Sequence, residues 1–184
     1  RSKNICNLFI QKSVSIPIIG SIMSINFTAL DFETANSSRA SACAIGLVKI
    51  RNGVEISRIS EIFKPPEGFD EFDLWNVMIH GITSGQVRGK KRFGELWPRF
   101  LEFIGDDIVV AHNASFDFSV LRHALSESGE NWPELNYLCS MVMAKPVYSL
   151  TSYSLPIVAR AANIQFDSEA HHDAAYDAEI SARI

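Results

Sequence analysis

Apolar and polar positions change their period several times along this chain. Ile25-Asn26-Phe27-Thr28-Ala29-Leu30-Asp31-Phe32 is an apolar, β-prone run, and strand-like runs recur near 42–50, 54–63 and 107–111, with a short one near 136–139. Asn52-Gly53, between the second and third runs, is a strong signal for a two-residue hairpin turn. Apolar residues at helical spacing mark 93–104, 115–129, 152–163 and 172–184, and Gly105 suits the end of the first of these. The three opening strands are expected to form an antiparallel meander, and the later ones alternate with helices. The pattern predicts an α/β or α+β domain of three layers.

The two ends read differently from the middle. Residues 1–24 carry Arg1, Lys3 and Lys12 among scattered isoleucines, and Pro17 and Gly20 interrupt any helix there. They are expected to be an extension outside the core, with Met23 as the natural start. Gln11, Lys12 and Ser13 break the apolar run, so it makes a poor signal peptide and is too short for a membrane span. Residues 25–184 form the expected domain. Ile184 falls inside a helical pattern seven residues after Asp177, so the last helix is expected to be cut short.

Composition narrows the function classes. The 184 residues are 47% hydrophobic, enough for one globular domain with a real core. A net charge of −4 excludes a bulk nucleic-acid binder with a large basic footprint. The three cysteines, Cys6, Cys43 and Cys139, form no disulfide framework, and their odd number points to reduced thiols in the cytoplasm.

The chemistry is concentrated in carboxylates. Asp31 and Glu33 are two apart at the end of the first strand, so both project from one face of the sheet. Adjacent carboxylates repel and resist desolvation, and a divalent cation is the economical compensation. Asp117 follows the fourth strand and shares a helical face with Val120, Leu121, Ala124 and Leu125. Asp177 aligns with Ala174, Ile180, Ser181 and Ile184. Each acid alone also has a structural reading. Asp31 and Glu33 can end a strand before the turn Thr34-Ala35-Asn36-Ser37-Ser38, Asp117 suits a first helical turn, and Asp173 is a natural N-cap. Four carboxylates aimed at one interior favour a shared metal site over separate accidents.

The motifs Leu30-Asp31-Phe32-Glu33-Thr34, Ile79-His80-Gly81-Ile82-Thr83, Ala111-His112-Asn113-Ala114-Ser115-Phe116-Asp117 and His172 through Asp177 occur in this order. Together they resemble the DEDD 3′–5′ exonucleases, in the branch with a histidine in the last motif. Within that branch the likeness is greatest to the epsilon proofreading subunit of bacterial DNA polymerase III, and Tyr137-Leu138-Cys139-Ser140 adds to it. The resemblance implies a ribonuclease-H-like fold, a mixed five-stranded sheet flanked by helices. It also implies a 3′–5′ exonuclease that trims single-stranded or frayed DNA and releases nucleoside 5′-monophosphates. An enzyme engaging only a few terminal nucleotides through metals needs no basic surface, which fits the acidic charge. An exoribonuclease of the oligoribonuclease kind, and a binding module that has lost turnover, are the alternatives.

The same resemblance implies the site. Two divalent ions, Mg²⁺ with Mn²⁺ able to substitute, suit an all-carboxylate set of hard oxygen donors. Asp31 is expected to bridge them, with Glu33 and Asp177 on the water-activating ion and Asp117 on the second. His172 is the expected general base, from the spacing of histidine, four residues, aspartate. His171 is expected to be aimed elsewhere by a strand-like or loop backbone. Thr34, Ile79, His80, His112 and Phe116 are the expected substrate contacts, Phe116 as a stacking ring or else a core aromatic. His112 and Asn113 either cap the following helix or face the substrate. Arg88, Lys90, Lys91 and Arg92 either meet the phosphate backbone or form a solvated loop. The expected partner is a single-stranded 3′ end, DNA before RNA, with no membrane, and no polymerase contact is inferable.

Overall fold

Residues 25–184 are described by a computed structural model, and the expected extension at 1–24 lies outside the described residues. Three strands open the domain: β1 (Phe27–Thr34), β2 (Ala42–Arg51) and β3 (Val54–Ile62). Asn52 and Gly53 close the β2–β3 hairpin with φ of 54° and 75°. Two successive positive φ values give the turn the right-handed twist that paired strands need. A helical excursion follows, α1 (Leu74–His80), α2 (Ser84–Val87) and α3 (Phe93–Ile104), before the short strand β4 (Val109–Ala111). The chain then runs through α4 (Ala114–Glu127), β5 (Tyr137–Cys139), α5 (Ser140–Ala144), α6 (Leu155–Ala161) and α7 (Ala174–Arg183).

The sheet order is β3-β2-β1-β4-β5, antiparallel among the first three strands and parallel from β1 through β4 to β5. The meander and the alternation that follows agree with the sequence pattern. Three short helices were not legible in it: α1, α2 and α5. β1 also extends two residues further than expected, through Thr34, so Asp31 and Glu33 lie inside the strand rather than at the start of a turn.

Strand alternation sends the two faces of β1 into different environments. Leu30 and Phe32 enter the main core, where Phe63, Phe93, Trp97 and Phe100 pack with Val120 and Leu121 of α4. Ala29, Asp31 and Glu33 take the opposite face, which α7 covers. That face is built from small residues: Ala29 stands opposite Val48, Asp31 opposite Gly46 and Glu33 opposite Ala44. From α7, Ala174 and Ala178 meet it. A Cβ at Gly46 would fall inside the van der Waals shells of the Ala174 carbonyl and the Ala175 amide. Only glycine admits the helix this closely. Asp173 caps α7, its Oδ1 accepting from the amides of Ala175 and Tyr176 at 3.0 Å each. The start of the helix is therefore fixed both by a side-chain cap and by steric contact with β2.

Candidate active site

One face of β1, the first turn of α7 and the first turn of α4 bring the acids together. One carboxylate oxygen from each of Asp31, Glu33 and Asp177 lies within 4.8 Å of the other two. Asp117 is 1% exposed and sits behind this group, where its Oδ1 accepts the Phe32 amide at 3.1 Å. Val120, Leu121, Ala124 and Leu125 on its face of α4 are all buried, as expected from their spacing. Asp177 shares its buried side with Ala174, Ile180 and Ser181.

Electrostatics make this a site short of positive charge. Burial, then the charges of Asp117, Glu33 and Asp177, pushes Asp31 well above the usual carboxylate range. Burial and the charge of Asp177 lift Glu33 to about 9. Burial lifts Asp117 to about 8 against the opposing hydrogen bond from the Phe32 amide. Asp177 is raised too, chiefly by burial, even though His171 faces it. Four carboxyls pushed the same way describe a pocket that a cation would relieve.

The histidines depart from expectation in one respect. His171 is not aimed elsewhere: its Nδ1 lies 3.0 and 2.9 Å from the two Asp177 oxygens. His172 donates its backbone amide to Asp177 Oδ2 at 3.1 Å, and its Nδ1 stands 3.9 Å from Glu33 Oε1. The backbone explains the correction. His172 has φ of 71°, in the left-handed region, so the alternation assumed for a strand-like segment is lost. Both imidazoles turn to one side and stack with centroids 3.7 Å apart. Burial, and the neighbouring His171, lower the pKa of His172.

These groups line a cleft of about 540 Å³. Of the expected substrate contacts, Thr34, Ile79, His80, His112 and Phe116 all line it. His80 and Asn76 of α1 both reach the end of β1, with His80 Nε2 3.1 Å and Asn76 Nδ2 2.8 Å from the Thr34 carbonyl oxygen. His80 Nδ1 accepts the Ile82 amide, so Nε2 is the protonated nitrogen that donates to Thr34. His112 is tied similarly, to Ser140 Oγ at 2.9 Å and to the Tyr153 carbonyl at 2.8 Å. Burial lowers the pKa of both rings, which serve as neutral braces. Asn113 occupies the N-cap position of α4 with φ of 58°, yet its side chain makes no cap hydrogen bond.

Sequence reasoning missed part of the lining, namely Asn36, Ser37, Arg39, Trp75, Asn76, Leu155 and His171. The spacing of Leu74, Trp75, Met78 and Ile79 was a usable signal for α1, because apolar residues one, four and five apart mark a helical face. Trp75 is 71% exposed at the edge of the cleft. The basic segment that includes Arg88, Lys90, Lys91 and Arg92 is outside the cleft lining.

A mixed sheet wrapped by helices, with a carboxylate cluster at the junction of its central strand and two helix starts, defines a nuclease-type hydrolase core. The exonuclease family typified by RNase T matches residues 28–184, and the chain belongs to it, as a DEDD-type 3′–5′ exonuclease domain. The PolC-type DNA polymerase III of Thermotoga maritima is 34% identical over 161 residues, 86% of this chain and 11% of that protein. A putative bifunctional exonuclease/endonuclease of Mycobacterium tuberculosis is 30% identical over 137 residues, 70% of this chain and 21% of that protein. The chain thus spans only a minor part of the curated relatives it matches. Among solved structures, exonuclease X in complex with 5′-overhanging duplex DNA has a TM-score of 0.68 at 23% identity, covering 85% of this chain and 87% of that one. Exonuclease I of E. coli with a dT13 oligonucleotide has a TM-score of 0.71 at 17% identity, covering 85% and 39%. At these identities the likeness is one of fold, the ribonuclease-H-like sheet flanked by helices.

Proposed function

We propose that this domain is a metal-dependent exonuclease that removes nucleoside 5′-monophosphates from the 3′ end of single-stranded or frayed DNA. The observation that carries the reading is the convergence of Asp31, Glu33 and Asp177 within 4.8 Å on the floor of a cleft, with Asp117 behind them. The donor set fits hard divalent cations: it is all oxygen, it is crowded, and its raised pKa values mark uncompensated repulsion. Asp31, Glu33 and Asp177 would hold one Mg²⁺ or Mn²⁺ ion, and Asp117 with Asp31 a second. Bound there, the ions supply counter-charge to the phosphodiester and to the leaving 3′ oxygen, and acidify the attacking water.

The chain's own residues do the rest. His172 accepts the proton of the attacking water at Nε2, and the Glu33 carboxylate near its Nδ1 favours the tautomer that leaves Nε2 free. The lowered pKa of His172 keeps it unprotonated at neutral pH. His171, hydrogen-bonded to both Asp177 oxygens, orients that carboxylate. His80 and Asn76 hold the Thr34 backbone at the end of β1, where Thr34 and Ile79 can meet the terminal nucleotide. DNA is the preferred polymer because the relatives at 30–34% identity include a DNA polymerase. Cys43 and Cys139 are free thiols, in keeping with a cytoplasmic setting, and no helix of the described residues is long and apolar enough to cross a membrane.

The test is a time course on 3′- and 5′-labelled single-stranded DNA and RNA of one sequence, with Mg²⁺, Mn²⁺ or EDTA, for wild type, Asp177→Ala, His172→Ala and His171→Ala. Metal-dependent shortening from the 3′ end, faster on DNA and lost in Asp177→Ala, is the expected result. His172→Ala should lose about 10²–10⁴-fold in kcat, the usual worth of a general base. Equal loss in His171→Ala would move the base to that residue. Faster digestion of RNA would overturn the polymer assignment, and absence of cleavage with either ion would overturn the activity.

A further inference from the structure

Arg39 is the one lysine or arginine among the described residues that line the cleft. It sits in the short loop between β1 and β2, which is stitched to itself. Ala35 donates to the Ser41 carbonyl at 2.8 Å, Ser38 to Asn36 Oδ1 at 3.0 Å, and Ser41 Oγ to the Ser38 carbonyl at 2.7 Å. Asn36 Nδ2 anchors the loop to the Glu71 carbonyl at 2.7 Å. The side chains of Asn36, Ser38 and Ser41 are thus spent on holding its shape. Arg39 differs. Its guanidinium carbon lies 3.9 Å from the centroid of the Phe116 ring, so the stack fixes the half-buried head group. Among the described residues its N–H groups find no hydrogen-bond acceptor, and no carboxylate comes within 4.0 Å of them.

A guanidinium positioned by an aromatic ring, with its donors unspent and its face set into an acidic cleft, is prepared for an anion from outside. Its planar fork matches two oxygens of one phosphate. The carboxylate cluster claims the scissile phosphodiester; Arg39 pairs with none of its acids, although its charge reaches Asp117 and opposes the rise of that carboxyl, and the Phe116 stack holds its guanidinium at the edge of the cluster. We infer that Arg39 anchors the phosphodiester immediately upstream of the scissile one, with Phe116 holding its guanidinium in plane. This rests on the exonuclease reading. It also changes the role of Phe116, whose ring face is taken by Arg39 and is not free to stack on a base. In a chain of net charge −4, a single placed cation offsets the repulsion between the cleft floor and the strand entering it.

The test compares steady-state kinetics on three single-stranded DNA oligonucleotides. One is unmodified, one has a neutral methylphosphonate at the linkage next to the scissile one, and one has it several linkages further upstream. Arg39→Met should raise KM about tenfold to a hundredfold, the worth of a charge-assisted hydrogen bond, and change kcat less than about threefold. The adjacent methylphosphonate should cost the wild type a similar factor and cost Arg39→Met less than about twofold. Arg39→Lys keeps a cation without the fork and should recover only part of the loss. It also decides the matter if Arg39→Met fails to fold. A wild-type KM in Arg39→Met, a loss confined to kcat, or a wild type indifferent to the adjacent neutral linkage would each overturn the anchor. A wild type that cleaves none of the oligonucleotides would remove the exonuclease reading, and the anchor with it.

Discussion

Adding one methyl group at Gly46 should separate the fold from its chemistry. The position lies on β2 opposite Asp31, and a Cβ there would collide with backbone atoms of Ala174 and Ala175 rather than with a side chain that could rotate away. Carbon and oxygen rest at roughly 3.5 Å and the added Cβ would lie 2.0 Å from the Ala174 oxygen, so Gly46→Ala must push the start of α7 off the sheet by about 1.5 Å. Overpacking of this kind costs roughly 1–3 kcal/mol, which for a domain of this size lowers Tm by about 2–12 °C. The consequence for activity is larger. Asp177 lies in the first turn of α7, His171 and His172 lead into it, and on the proposed reading a misplacement of about 1 Å in a catalytic group can cost about 10²-fold. Gly53→Ala is the control. It forces a side chain to φ of 75° at the β2–β3 turn but meets no other atom within 4 Å. It should lose about 1 kcal/mol of stability and leave kcat within about twofold. Thermal unfolding followed by calorimetry, with single-strand digestion rates below each Tm, reads both quantities. A Gly46→Ala enzyme as active as Gly53→Ala would refute the claim that this contact sets the position of Asp177.

Other expectations follow from the same geometry. Without metal, Glu33 and Asp117 hold protons in the folded state up to about 9 and about 8, whereas unfolded carboxyls release them near about 4. The folded state therefore binds more protons across that window, and stability should fall as pH rises from about 4 through about 9. Tm measured in EDTA should decline from pH 5 to pH 9 and recover with Mg²⁺, and a Tm that climbs over that range would contradict the assignment. Asp31→Asn should raise the metal-free Tm at pH 8 while abolishing turnover, because it removes the cost of burying an ionisable carboxyl among other acids. Asp173→Ala should lower stability by about 1 kcal/mol through loss of the α7 cap, and Asp173→Ser should retain most of it, as urea titration would show. Phe100→Ala, at a fully buried core position, should cost about 3–5 kcal/mol in the same titration.

The strands and the acids were legible because each obeys a strict period. Alternation along β1 sends Asp31 and Glu33 to one face, and helical spacing on α4 and α7 turns Asp117 and Asp177 inward, so tertiary packing had little freedom to rearrange them. The short helix α1 was missed for the opposite reason: it has no buried residue, and its place is set by Asn76 and His80 hydrogen-bonding a strand end 42 and 46 residues away. No local pattern reports such a tether. The orientation of His171 depended on a single left-handed φ at His172, a backbone choice that histidine tolerates but does not advertise. Arg39 escaped notice because its meaning comes from Phe116, which is distant in sequence and close in space.

The unburied state of α1 has a mechanical consequence. The acids stand on a central strand and on helices whose neighbours are fully packed, so the floor of the cleft moves only when the core itself opens. The wall formed by α1 keeps Leu74, Trp75 and Met78 in solvent and is held by a few hydrogen bonds at the end of β1. No residue within α1 is buried, whereas α4 and α7 each bury a full face, so local opening of α1 gives up less packing than opening of either. The cleft is a rigid anvil beside a hinged jaw. On the exonuclease reading proposed above, that difference lets termini of different width enter without disturbing the acids.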